Sequence, residues 1–372
     1  MRKIGCFTIS SFTGIPLCTQ LFEGLFSDIS REPVEVYQCY IPGFVTYSDK
    51  IRNKPVIHFD TFHKFIHQSA ALKIWKYLVV FFQMLKFTLR CKNILIYSID
   101  VYSVCLGLFF KRLFVSRNLM VIYHQIEMDI PAKRSRIDRF LFRVLKKQAA
   151  KLDLFIVPEV NRLNYFRQFV PVSTNASLVF PNTTQTHFDG YEQKENVVFA
   201  HIGALGFNHY GRELITAFSN IGHEAELWLI GRTTDEMKSF IQAQENDNIK
   251  VIESVPHSQL KEFYRQIDFG FILYRPIDLN NEYAAPNKLY EMWSYGIPVI
   301  AHQLEGLKPV FSNGCLGKLI DMENPEMFVN TLKYCAANRS SFDRKCISNY
   351  FSERYSLDHH INQLKEKVLG SK

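Results

Sequence analysis

Short apolar, β-branched runs recur along the chain, and between most of them the apolar residues fall three and four apart. The runs KIGCFTI (3–9), VEVYQCY (34–40), NILIYS (93–98), LMVIYH (119–124) and LDLFIVP (152–158) predict strands. So do NVVFAHIG (196–203), AELWLIG (225–231), IKVIES (249–254), DFGFILY (268–274) and IPVIA (297–301). Strand and helix patterns in alternation predict parallel sheets with crossover helices, here two open α/β units in series. The polar, turn-rich stretch VFPNTTQTHFDGYEQKEN (179–196) separates the two series and reads as a linker. The opening MRKIGCFTISSFTG has too short and broken an apolar run for a signal peptide and reads as a first strand and loop. There is no short-period repeat and no low-complexity tract.

Composition adds a size and a compartment. A chain of 372 residues, 47% hydrophobic and 22% charged, suggests two domains of ordinary size. Aromatic residues make up 14%, with 32 Phe, enough for a large core and some aromatic surface. The eight cysteines form no C-x-x-C pair and no metal-type spacing, so they read as buried thiols in a reducing compartment, the cytoplasm.

The net charge of +8 conceals an asymmetry. Residues 1–180 carry 25 Lys and Arg against 12 Asp and Glu, and the rest 19 against 24. A basic first half points to an anionic partner, either a membrane surface, nucleic acid or a phosphorylated substrate. Two segments carry much of the excess. HQSAALKIWKYLVVFFQMLKFTLRCKN (67–93) has an apolar centre too short between charges to span a bilayer. KRSRIDRFLFRVLKKQAAK (133–151) has eight basic residues and one acid, with Ile137, Leu141 and Leu145 on one helical face. Each could be a sheet-packed helix with a solvated charged face. Together they favour peripheral contact with anionic membrane, at the inner face of the cytoplasmic membrane, over nucleic acid, for which no motif is present.

The chemistry is concentrated in APNKLYEMWSYGIPVIA (284–300). Pro286 suits the first helical position. Asn287, Lys288 and Leu289 then bring amides to a helix N-terminus that favours an anion, and Lys288 adds charge. Glu291, four residues after Asn287, faces the same way. A packing helix needs none of these polar residues, so the arrangement reads as a diphosphate site. A plain Lys288–Glu291 pair on a helix packed by Leu289, Met292 and Trp293 is the alternative.

The succession AELWLIGR, IDFGFILYRP, NEYAAPNKLYEMWSYGIPVIA resembles the C-terminal domain of GT-B glycosyltransferases of the retaining family 4 type. VIYHQIEMD (121–129), LDLFIVPEVNRLNYF and FPN (180–182) resemble segments of its N-terminal half, in members that build bacterial surface polysaccharides. The resemblance implies two Rossmann-like doubly wound domains facing across a cleft. An acceptor domain would span residues 1–182 and take back a C-terminal helix at 354–372. A nucleotide-sugar domain would span 183–353. Glu291 is then implied to hold the ribose hydroxyls. Arg212 and, less strongly, Arg232 would join Lys288 at the diphosphate. Gly14 in SSFTGIP would let backbone approach the donor. His124, at the carboxyl end of a strand, and Glu127 would act in catalysis, with Glu159 at a further strand end.

Two departures stand out. The family pairs two glutamates with seven residues between, and the first place holds Tyr283, with Glu282 one position off. In HIGALGFNHYGRELITAF (201–218), the place of the family's phosphate-binding arginine falls at or near His209. The implied reaction is sugar transfer from a nucleoside diphosphate sugar to a hydroxyl of a saccharide or lipid-linked acceptor, with retention. It would follow a front-face route assisted by the leaving group. No apolar-flanked Asp-x-Asp occurs, so neither a metal nor another cofactor is expected. A nucleotide-sugar epimerase and a non-catalytic partner subunit are the rival readings.

Overall fold

The computed structural model describes residues 3–7, 21, 35–38, 50–51, 54–55, 57–60, 70–128, 136–221, 225–256, 259–311 and 314–369, with backbone alone for 35–60 and 70–76. The chain forms two compact units, residues 1–180 with 360–372, and residues 181–359. Gly14 lies outside the described residues.

In the first unit the strands are β1 (Lys3–Phe7), β2 (Glu35–Gln38), a short antiparallel pair β3 (Lys50–Ile51) and β4 (Lys54–Pro55), and β5 (Ile57–Asp60). Then come β6 (Asn93–Ser98), β7 (Asn118–His124), β8 (Leu154–Val157) and β9 (Ser177–Val179). Seven of them form one parallel sheet in the order β5-β2-β1-β6-β7-β8-β9. The helices are α1 (Ala70–Arg90), α2 (Val101–Leu113), α3 (Arg136–Gln148) and α4 (Val160–Arg167).

After its first residue, β7 is buried throughout, and so is β6, as strands covered on both faces must be. Asp100 starts α2 by accepting the Ser103 amide at 2.8 Å. The crossovers from β5 to β6, β6 to β7 and β7 to β8 all run in one direction, so right-handed connection puts α1, α2 and α3 in one layer. Val80, Met84 and Phe87 of α1 pack with Phe110 of α2 and Ile96. Val104 and Leu108 of α2 pack with Leu145 of α3 and Tyr123.

The second unit contains β10 (Val197–Ile202), β11 (Ala225–Ile230), β12 (Ile249–Ile252), β13 (Phe269–Ile272), β14 (Val299–His302) and β15 (Gly317–Ile320). They form one parallel sheet in the order β12-β11-β10-β13-β14-β15. Its helices are α5 (Gly211–Phe218), α6 (Asp235–Gln242), α7 (Leu260–Tyr264), α8 (Leu279–Glu282), α9 (Asn287–Ser294), α10 (Pro325–Ala337) and α11 (Arg344–Arg354). A last helix, α12 (Leu357–Leu369), belongs from His360 onward to the first unit, where His360 meets Phe180 and Lys367 donates to the Asn175 carbonyl at 3.1 Å.

Two expectations need correction, and three strands of the parallel sheets were not predicted. The stretch 181–196 is no free linker. It is strapped to the second unit by Asp189, which pairs with Arg265 at 2.8 Å and Lys261 at 2.5 Å, and by Tyr191, whose hydroxyl donates to Asp268. Polar residues that look like loop composition are here fastening groups. The strands β5, β9 and β15 lack the apolar run that marks a strand, because edge strands of three or four residues need little of it. Of the thiols, Cys6, Cys91, Cys105 and Cys335 are buried, but Cys346 is exposed and Cys315 half-buried.

Candidate functional site

Strand order in the second sheet reverses between β10 and β13. From β10 the chain moves outward through β11 and β12, and from β13 through β14 and β15 in the other direction. The crevice at the carboxyl ends of β10 and β13 is therefore where a sheet of this kind takes a ligand. The loops 203–210 and 273–286 border it, and α9 begins immediately after the second.

Pro286 is the residue before α9 rather than its first turn, with ψ of 128°. An extended Pro still presets the chain for entry, since its ring fixes φ. The amide of Lys288 rests on Oδ1 of Asn287 at 3.1 Å, and that of Leu289 on the Pro286 carbonyl at 3.2 Å. The first of these partners is a side chain that can rotate away. The Leu289 amide is already closed into the turn and the Leu289 side chain is fully buried, so Leu289 serves as an anchor.

Lys288 Nζ lies 2.5 Å from Oε2 of Glu291, and the Tyr264 hydroxyl donates to the same oxygen at 2.7 Å. Glu291 is 7% exposed. The Lys288–Glu291 pair is thus made in a sheltered place rather than on open surface. Burial and the Glu291 carboxylate push the Tyr264 phenol well above its ordinary value, so it stays a donor. Tyr295 stacks on Tyr264 at 4.7 Å and His187 on Tyr295 at 5.3 Å, which braces the pair from the strap.

Arg212 turns elsewhere. It pairs with Glu236 of α6 at 2.6 Å and lies over Phe240, more than half exposed. Its charge is spent on a solvated ion pair, worth little by itself. Arg232 is exposed, and its carbonyl accepts the Leu205 amide at 2.9 Å. Neither guanidinium is held among the described residues with Lys288 and Glu291.

The cation that does sit between the two bordering loops is Arg275, which sequence reasoning passed over. Its Nε donates to the Phe207 carbonyl at 2.8 Å, its amide to the Asn208 carbonyl at 2.9 Å, and its guanidinium pairs with Glu213. It also lies over the Tyr210 ring at 4.0 Å and the Phe207 ring at 4.6 Å. Tyr210 has φ of 51°, a left-handed conformation costly for a bulky residue, and its hydroxyl donates to Glu323 at 2.6 Å. The signal available was the Arg in FILYRP, one residue past a predicted strand.

Glu282 accepts the Glu305 amide at 3.3 Å and its carbonyl accepts that of Gly306 at 3.0 Å. A Cβ on Gly306 would lie 2.6 Å from the Ala284 carbonyl oxygen. Glu282 therefore holds a turn that passes closely over the loop leading to α9.

In the first unit His124 ends β7, but its ring is fully buried, and the Tyr97 hydroxyl, not Glu127, meets its Nδ1 at 2.5 Å. Its Nε2 is buried without a partner among the described residues. Glu127 is exposed. Glu159 caps α4, accepting the amides of Asn161 at 2.7 Å and Arg162 at 3.0 Å, so it is a structural group at the end of β8. Burial pushes its carboxyl above the ordinary value.

Two of these imidazoles are carried neutral. Burial pulls His124 down to about 3 and His201, at the carboxyl end of β10, to about 4. A histidine with a depressed folded value binds fewer protons folded than unfolded over the interval between the two. Stability is therefore full above the ordinary histidine value of about 6.5 and falls as pH drops toward the folded values, by up to about 1.4 kcal/mol per pH unit for each ring. Urea melts at pH 7.5 and 5.0 should show this loss, and His201→Gln should shallow it. An equal loss in the variant would contradict a neutral His201.

Residues 182–351 match the profile of the family described as Glycosyl transferases group 1. A sequence search among curated proteins returns no match. By structure the chain is similar to Anabaena HepE in complex with UDP (14% identity, TM-score 0.73), with each chain fully covered. It is likewise similar to sucrose-phosphate synthase from Thermosynechococcus elongatus (13%, 0.74) and to the lipopolysaccharide outer core galactosyltransferase WaaB in its apo form (12%, 0.71), again over the full length of both chains. The chain accordingly has the GT-B fold, and its second unit matches the group 1 glycosyltransferase model over residues 182–351.

Proposed function

We propose that the protein transfers a sugar from a nucleoside diphosphate sugar to a hydroxyl of a lipid-linked saccharide, with retention, in the assembly of a bacterial surface polysaccharide at an anionic membrane. The observation that carries this reading is the sheltered Lys288–Glu291–Tyr264 group at the head of α9, inside the group 1 domain. UDP in HepE and the galactosyl transfer named for WaaB support the donor class.

Entry of a donor divides the pair. Glu291 turns its carboxylate to the ribose hydroxyls, and Lys288 with the amides of Asn287 and Lys288 meets the diphosphate. As the bond from the anomeric carbon to the diphosphate oxygen breaks, negative charge grows where those groups point. The acceptor oxygen bonds to the same face of the anomeric carbon and passes its proton to the departing phosphate. Arg275 keeps the loops bordering the site in register and acts as a positioning residue. His124 and Glu127 take the catalytic roles that the family resemblance implies.

Incubation with a panel of nucleotide sugars tests the reading. One sugar should give nucleoside diphosphate by slow hydrolysis, and faster in the presence of acceptor, with no effect of EDTA. Formation of an epimer would replace transfer with epimerisation, and binding without turnover would make the chain a partner subunit.

A further inference from the structure

The layer formed by α1, α2 and α3 carries an outer surface that nothing in the fold requires. On α1 the stripe Leu78, Phe82 and Leu89 faces solvent, with Phe82 60% exposed. On α2 and just past it, Phe109, Leu113 and Val115 do the same, with Val115 82% exposed. On α3, Ile137 and Phe140 are exposed, Phe140 by 60%, although a helix packed with Ile137, Leu141 and Leu145 inward would hide the first. Only Leu145 of these three is buried. Scattered exposed apolar residues are ordinary, but seven large ones on three neighbouring helices, with an eighth just past α2, are not.

The charge on the same helices is of one sign. Lys86 and Arg90 on α1, Arg112 on α2, and Arg136, Arg139, Arg143, Lys146 and Lys147 on α3 are exposed. Asp138 is the one acid in the three helices. Arg139, Arg143, Lys146 and Lys147 form no ion pair among the described residues. No helix here is long and apolar enough to cross a membrane. Aromatic side chains between cations on helices lying flat match a layer with anionic headgroups above and acyl chains beneath.

We infer that the outer face of α1, α2 and α3 docks on an anionic lipid bilayer, with Phe82, Phe109 and Phe140 entering the acyl boundary and the basic residues of α3 meeting the headgroups. A protein partner would leave the one-signed charge without a reason, and nucleic acid would leave the aromatic residues in water. This surface gives a place to the membrane contact proposed above, and rests on that reading only for its biological purpose.

Sedimentation of the full chain with vesicles tests it. The protein should pellet with phosphatidylcholine vesicles containing one third phosphatidylglycerol and stay in solution with phosphatidylcholine alone. F82S/F109S/F140S and R139Q/R143Q/K146Q/K147Q should each lower partitioning on the order of tenfold, and high salt should reproduce only the second effect. Both variants replace exposed side chains, so melting temperature and hydrolysis of the nucleotide sugar that the panel selects should stay at wild-type values, which separates failure at this face from failure of the donor site. Equal binding to neutral vesicles, wild-type binding by either variant, or absence of vesicle binding would overturn the inference. So would a dimer that F82S/F109S/F140S dissociates, since the face would then belong to a second copy.

Discussion

Glu291→Ala is expected to weaken nucleotide binding on the order of ten- to a hundredfold, the loss of about 1.5–3 kcal/mol that attends removal of a hydrogen-bonded charged group. Lys288→Ala should weaken it by a similar factor, read by calorimetry with the nucleotide that the sugar panel selects. The two variants should part company in stability. Without Glu291, the lysine head, already 20% exposed, reaches water along its own stem. Without Lys288, the nearly buried Glu291 carboxylate keeps the Tyr264 hydroxyl but loses its counter-charge. Lys288→Ala should therefore cost about 1–3 kcal/mol in urea melts, and Glu291→Ala less. Unchanged nucleotide affinity in both variants would remove the site assignment, whatever the melts show.

Trp293→Ala should produce the largest loss of stability, about 3–5 kcal/mol in the second unit. The indole is fully buried on the inner face of α9, edge-on to Tyr290 and Phe311, and its Nε1 donates to the Leu316 carbonyl at 3.0 Å. Removing it opens a cavity behind the helix that carries Lys288 and Glu291, so nucleotide affinity should fall as well. Trp293→Phe keeps most of the packing and leaves the carbonyl unpaired, and should cost about 1–2 kcal/mol. A Trp293→Ala chain that melts within 1 kcal/mol of wild type would show that α9 is not anchored from this side.

The residues proposed for the site differ in how plainly the sequence marks them. Pro286, Asn287, Lys288 and Glu291 announce themselves because polar residues in the first turn of an otherwise packed helix conflict with packing alone. Arg275 does not, since a lone arginine after a strand looks like any loop charge. Its meaning comes from Phe207, Glu213 and Tyr210, more than sixty residues earlier in the chain. Arg212 shows the opposite case. Its place in the loop-to-helix segment matched a phosphate clamp, yet Glu236, on the next helix, claims its side chain. Glu159 and His124 both sit at strand ends, as expected, but what each side chain does is set by the Asn161 and Arg162 amides in one case and the Tyr97 hydroxyl in the other.

What the sequence determined by itself was the alternation of strand and helix, the division into two α/β units, a helix beginning within a residue of Pro286 and the basic first half. These rest on local periodicity and composition, which a reader of the chain sees directly. What the tertiary structure decided was which cations face the switch point, which carboxylates are caps or turn holders, and which apolar residues stay outside. Those follow from partners far apart in sequence, because the direction of a side chain is settled by whatever the fold brings within about 3–4 Å of it.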